Sequence, residues 1–166
     1  MKKDKGKAIS KKKENKISEK NIISQDVFFS KISFSFNKLE AMKNVKDGYA
    51  QLPIKIGLKW KIVATRNDSR GVLLGCDFSL QSTGLKIDIF IETEMIFDEA
   101  IDKKQLLNTC FFQVLASNLF FPYLAELIAT NTEKLDPGST PLILDNVWLS
   151  EIIAITKKQG TFNKSI

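Results

Sequence analysis

Apolar and polar residues alternate along the first half of this chain with a period of two. From Val27, the residues Phe28, Ile32, Phe34 and Phe36 alternate with Lys31, Ser33 and Ser35, which predicts a half-buried strand. A cleaner run follows, with Ile54, Ile56, Leu58, Trp60 and Ile62 facing one way and Lys55, Gly57, Lys59 and Lys61 the other. Asn67-Asp68-Ser69-Arg70-Gly71 supplies turn residues. Val72, Leu74, Cys76, Phe78 and Leu80 then continue the apolar face in a third strand. After Ser82-Thr83-Gly84, a fourth carries Leu85, Ile87, Ile89 and Ile91 opposite Lys86, Asp88, Glu92 and Glu94. Four strands joined largely by short turns predict an antiparallel sheet with one covered and one wet face. The charged residues of the wet face read as solvated surface.

The period then becomes helical. Asp102 suits an N-cap, and Leu106, Leu107, Cys110, Phe111, Val114 and Leu115 place a broad stripe on one side of a helix. Asn118 and Pro122 predict an interruption, with a second helical segment from Leu119 to about Glu133, because proline is tolerated chiefly near a helix start. Pro137-Gly138 and Pro141 mark a loop. Asp145 caps a last helix carrying Val147, Trp148, Leu149, Ile152 and Ile153. Strands first and helices later give an α+β fold: a four-stranded antiparallel sheet with helices packed on one face. Residues 37–53 are too long for a simple turn, and a connection of that length is usually functional or disordered. It carries Leu39, Met42, Val45, Tyr49 and Leu52 between polar residues.

Charge separates a tail from this folded part. Of the 25 basic and 19 acidic groups in 166 residues, nine and three lie in residues 1–24, leaving 16 of each in the remainder. The tail is too polar to offset the entropy of ordering and is expected to be disordered, either as a solubilising segment or as an electrostatic arm for an acidic partner or nucleic acid. A balanced folded part argues against a nucleic-acid-binding face. The expected organisation is a basic tail over 1–24, one domain over 25–158 and a short tail over 159–166.

The chemistry of catalysis is sparse. The chain has no histidine, so the usual general base, nucleophile activator and zinc ligand are all missing. No glycine-rich phosphate loop or paired-carboxylate motif stands out, and Cys76 and Cys110, set among apolar neighbours, read as buried free thiols with no metal spacing. We expect a non-enzyme with no catalytic residue, cofactor or metal. The most apolar stretch, residues 119–129, is interrupted by Glu126 and falls short of the ~20 residues that span a bilayer. The basic start is not followed by an apolar signal core. The expected location is the cytoplasm, without membrane insertion.

The helical half resembles a known family. Asn118-Leu119-Phe120-Phe121-Pro122-Tyr123 is similar to the Asn-Ile-Leu-Phe-Pro-Tyr segment of the bacterial export chaperone SecB, and Glu126 and Ile128 continue the match. Leu142-Ile143-Leu144-Asp145-Asn146-Val147 resembles the Leu-x-Leu-Ala-Pro-Val stretch before the family's last helix. Phe29-Ser30-Lys31-Ile32-Ser33-Phe34 resembles Tyr-Thr-Lys-Asp-Ile-Ser-Phe of its first strand, one residue shorter. The resemblance implies a SecB-like fold, a homotetramer built as a dimer of dimers, and ATP-independent holding of unfolded polypeptides, among them preproteins for export. Some SecB-like proteins instead protect an antitoxin, so a dedicated adaptor for one partner, such as an antitoxin or phage protein, is the alternative.

Departures from the family pattern bear on the partner. The acidic position that helps engage the SecA motor aligns with Lys31 or the gap beside it, Ser35 stands where the family has Glu, and Asn146 stands where it has Pro. These departures weigh against delivery to SecA. Polypeptide contacts are expected from the long connection (Leu39, Met42, Val45, Tyr49, Leu52) and the last helix (Trp148, Leu149, Ile152), although each is equally suited to a core. For Trp148 the core is the stronger expectation.

Overall fold

The computed structural model describes residues 21–43, 54–135 and 141–160. Strands β1 (Ile22–Phe36), β2 (Lys55–Thr65), β3 (Gly71–Ser82) and β4 (Leu85–Phe97) form one antiparallel sheet in the order β1-β4-β3-β2. Helix α1 (Lys38–Lys43) follows β1, and α2 (Lys103–Asn108), α3 (Phe111–Leu135) and α4 (Asn146–Gln159) follow the sheet. This is the α+β arrangement that the alternation and its change of period predict.

Each hairpin is closed locally. Gly84, at φ 77°, supplies the left-handed residue of the β3–β4 turn. The β2–β3 turn is closed by the Arg66 amide donating to the Gly71 carbonyl at 3.0 Å, with the Arg70 amide donating to Asp68 Oδ1 at 3.0 Å. The strands then bury the face that the sequence marks: Val72, Leu74, Cys76, Phe78 and Leu80 of β3 and Ile87, Ile89, Ile91, Met95 and Phe97 of β4 are all essentially inaccessible. Burial of each such side chain contributes about 1.5–3 kcal/mol.

Strand β1 departs from the expected alternation. Val27 and Phe29 pack against the core, as does Phe34, whereas Phe28 and Ile32 are exposed. A register shift between Ser30 and Ser33, with Lys31 at φ 49°, inserts one residue and exchanges the faces. Phe28 therefore does not share a face with Phe34, and Ile32, within the shift, is left exposed.

The helices pack on the core face in two clusters. Phe112, Leu115 and Ala116 of α3 meet Val72, Leu74, Met95 and Phe97 at one end, with Leu106 of α2. Phe120, Phe121, Leu124 and Ile128 meet Phe78, Leu80, Ile87 and Ile89 at the other, with Leu144 and Ile152. Edge-to-face packing of Phe97 on Phe112 (5.7 Å) and contact of Trp60 with Phe120 (6.1 Å) mark the two halves.

The helical break lies elsewhere than predicted. Asp102 does cap α2, accepting from the Lys104 amide at 2.8 Å, but the chain turns extended at Thr109 and α3 then runs unbroken through Asn118 and Pro122. Both residues are on the exposed side, so the carbonyl that the proline leaves without a partner faces water. As one 25-residue helix, α3 is long and apolar enough to cross a membrane by length and composition, but half of its most apolar window is buried inside the fold.

Candidate polypeptide-binding site

The sheet order sets the site. β1 and β2 are the two edge strands, and the end of the first and the start of the second, which residues 37–53 join in sequence, both lie beside the β3–β4 turn. The first part of that connection is anchored: the Asn37 amide donates to the Gly84 carbonyl at 2.6 Å, and Asn37 Oδ1 accepts from the Glu40 amide at 3.3 Å as α1 begins. At this end the core is incompletely covered. Phe34, Ile54, Ile56 and Leu85 of the sheet, and Leu142, Trp148 and Leu149 of the helical layer, are packed against it but remain partly accessible.

Three local devices hold the helical side of this shelf. Asp145 caps α4, with Oδ1 accepting from the Val147 amide at 2.9 Å. Thr132, buried on α3, donates to the Ile128 carbonyl at 2.8 Å and accepts from the Leu142 amide at 2.9 Å, tying the segment before α4 to α3. At the far end of α4, Gln159 Nε2 donates to the Leu58 carbonyl on the edge of β2 at 2.6 Å. Replacing Thr132 by Val leaves the Leu142 amide without its acceptor. We expect a loss of about 1–3 kcal/mol in stability and faster hydrogen exchange at Leu142, read by NMR.

The residues predicted as contacts divide into three groups. Leu39 on α1 is 75% exposed, and Trp148 and Leu149 are half-buried on the shelf. Ile152 is fully buried in the core, beneath the shelf rather than on it, because it faces the sheet from the inner side of α4. Met42 belongs to α1, with its side chain outside the described part, and Val45, Tyr49 and Leu52 lie outside the described residues.

Two exposed residues escaped the sequence reading. Ile143 and Val147 are 65% and 72% exposed beside the shelf. The signal for them exists: in Leu142-Ile143-Leu144 the alternation must turn one apolar residue outward, and Leu144 is the buried one. Val147, Trp148 and Leu149 sweep about 200° of a helix, more than the core can cover. A separate exposed patch, Pro122 and Tyr123, lies on the outer side of α3.

The shelf offers apolar surface and little chemistry. Among the described residues no group of three or more metal-ligating side chains comes together. Cys76 is buried, and burial pushes its thiol pKa upward, away from nucleophilic reactivity. Cys110 is partly accessible rather than buried as expected, because it sits in the break between α2 and α3.

No protein-family model matches the chain, and no curated protein matches it. Among solved structures, a SecB-like chaperone of Mycobacterium tuberculosis, in complex with a peptide from an antitoxin, superposes with a TM-score of 0.57 at 11% identity, covering 76% of this chain and 89% of that one. A Streptococcus agalactiae protein of unknown function gives 0.42 at 11% identity, over 74% and 98%. At such identity the first likeness speaks for the fold, and the chain has a SecB-like fold.

Proposed function

We propose that this protein is an ATP-independent holding chaperone of the SecB family that binds unfolded polypeptides along the apolar shelf. The observation that carries the reading is a half-open core end on a SecB-like fold, where Leu142, Trp148 and Leu149 lie beside the exposed Ile143 and Val147. Clustered accessible apolar side chains mark interaction sites, and such a surface accepts many sequences. Holding an unfolded chain needs only mass action, without catalysis or nucleotide. We read the protein as a non-enzyme acting in the cytoplasm as a homotetramer, with preproteins for export among its clients.

A dedicated adaptor is the second reading, supported by the M. tuberculosis neighbour having been solved with an antitoxin peptide. The test is suppression of aggregation of a reduced, unfolding protein without nucleotide, with the mass in solution determined in parallel. Near-stoichiometric suppression by a tetramer is the expected result. No suppression by a monomer or dimer that binds one peptide selectively moves the conclusion to the adaptor.

A further inference from the structure

The face of the sheet turned away from the helices carries a second feature. The strand register aligns Gly57, Ser79, Asp88 and Ser33 in one row across all four strands. Gly57, Ser79 and Asp88 of this row line an open trough of ≈ 480 Å³. A side chain at Gly57 would run into Ser79 Oγ, so the floor is close-set. Four strands are about 14 Å across, the length of roughly four extended residues.

One wall of the trough is built around Phe90. Its ring is only 8% exposed, although it points away from the core. It lies over Gly75, where a Cβ would meet Phe90 Cζ at 2.6 Å and Val63 Cγ2 at 2.9 Å. Two ammonium groups stand over the ring, Lys61 Nζ at 4.2 Å and Lys31 Nζ at 5.6 Å from its centroid. Lys31 reaches this position through the bulge in β1. Val27 and Phe29 face the core, so unbroken alternation would turn Lys31 inward, and instead it adopts a left-handed φ of 49° that non-glycine residues rarely take.

Lysines outnumber carboxylates on this part of the face. Lys31 and Lys59 line the trough with Asp77 and Asp88, Lys61 stands over the adjoining Phe90 ring, and Lys55 and Lys86 follow along the same face, both in register with Gln81. Asp88 is already paired with Lys86 at 2.9 Å, and among the described residues no ion pair engages Lys31, Lys55, Lys59 or Lys61. Beyond the Phe90 row the same face turns acidic, with Asp26, Glu92 and Glu94, which bounds the basic part.

We propose that this trough docks an extended acidic segment of a partner polypeptide, on the opposite face of the sheet from the apolar shelf. Carboxylates of the segment pair with Lys31, Lys59 and Lys61, and its backbone lies in the row of small residues. A peptide suits the site better than a nucleic acid. Asp77, Asp88 and the nearby Glu92 oppose a backbone bearing a charge every ~1.7 Å, whereas an extended peptide places same-side carboxylates about 6.6 Å apart.

The test uses the full chain and a fluorescent eight-residue peptide alternating Glu and Leu, read by anisotropy at low salt. A Lys-for-Glu peptide and a single-stranded oligonucleotide of equal net charge serve as comparisons. The triple variant Lys31→Gly, Lys59→Gln, Lys61→Gln is expected to weaken binding of the acidic peptide about tenfold or more, as three charge-assisted contacts are lost together. Glycine suits the left-handed position, so the sheet should survive. A tail variant, Lys3→Gln with Lys5→Gln, is expected to bind as the parent does. Should the triple variant fail to fold, Lys59→Gln alone is expected to cost about threefold. Suppression of aggregation by these variants stays at the parent level, which separates this proposal from the shelf. The proposal is overturned if the peptide does not bind, if the trough variants bind it unchanged, if the tail variant alone loses it, or if the oligonucleotide binds more tightly.

Discussion

Ile152→Ala is expected to destabilise the protein by about 2–5 kcal/mol, one of the largest effects of any single substitution here. The side chain is fully buried between α4 and the sheet, in the cluster formed by Phe78, Leu80, Ile87 and Ile128. Truncation removes transfer free energy and leaves a cavity that the strands cannot close, because β3 and β4 are fixed by hydrogen bonds on both sides. Urea denaturation of the variant measures the cost. The same variant resolves the role of the residue: the buried position predicts that suppression of aggregation falls only as the folded fraction falls. Loss of suppression with the midpoint of unfolding unchanged would return Ile152 to the contact surface.

The sheet was almost wholly legible in the sequence, because a period of two admits one assignment of faces once the core side is chosen. β2 keeps that assignment from Ile56 to Ile62, before its own register shift, and β3 and β4 keep it from Val72 to Ile91. β1 did not, since a bulge shifts every later residue to the opposite face and leaves no mark in composition. The residue that absorbs the shift, Lys31, is neither Gly nor Asn, the types that signal a left-handed position. The helical break was misplaced for a related reason. Pro122 breaks helices where its missing hydrogen bond is buried, and here it is on the wet side. Thr109 ends α2 without a glycine or proline.

The candidate site was half legible. Trp148 and Leu149 were found as apolar residues on the last helix, but their depth depends on how α4 rotates against the sheet. That rotation is fixed by contacts distant in sequence, Gln159 to Leu58 and Thr132 to Leu142, which no local pattern reveals.

The double variant Ile143→Ser, Val147→Ser is expected to raise the concentration needed for half-suppression of aggregation about tenfold. Both side chains are largely exposed, so serine removes little packing from the folded state. Stability should change by no more than about 0.5 kcal/mol per site, since surface substitutions away from caps and cores stay in that range. Asp145, which caps α4 through the Val147 backbone amide, is untouched by a change of side chain. Fully burying an aliphatic side chain is worth about 1.5–3 kcal/mol, and two partly buried against a client lose roughly 1.4 kcal/mol between them, a factor of ten. Thermal melting and the suppression assay on the same preparation decide the matter. An unchanged melt with weakened suppression places the client on this shelf. An unchanged melt with full suppression removes Ile143 and Val147 from the site and shifts the test to Tyr49→Ser with Leu52→Ser, in the connection that starts beside the shelf and returns to it at Ile54.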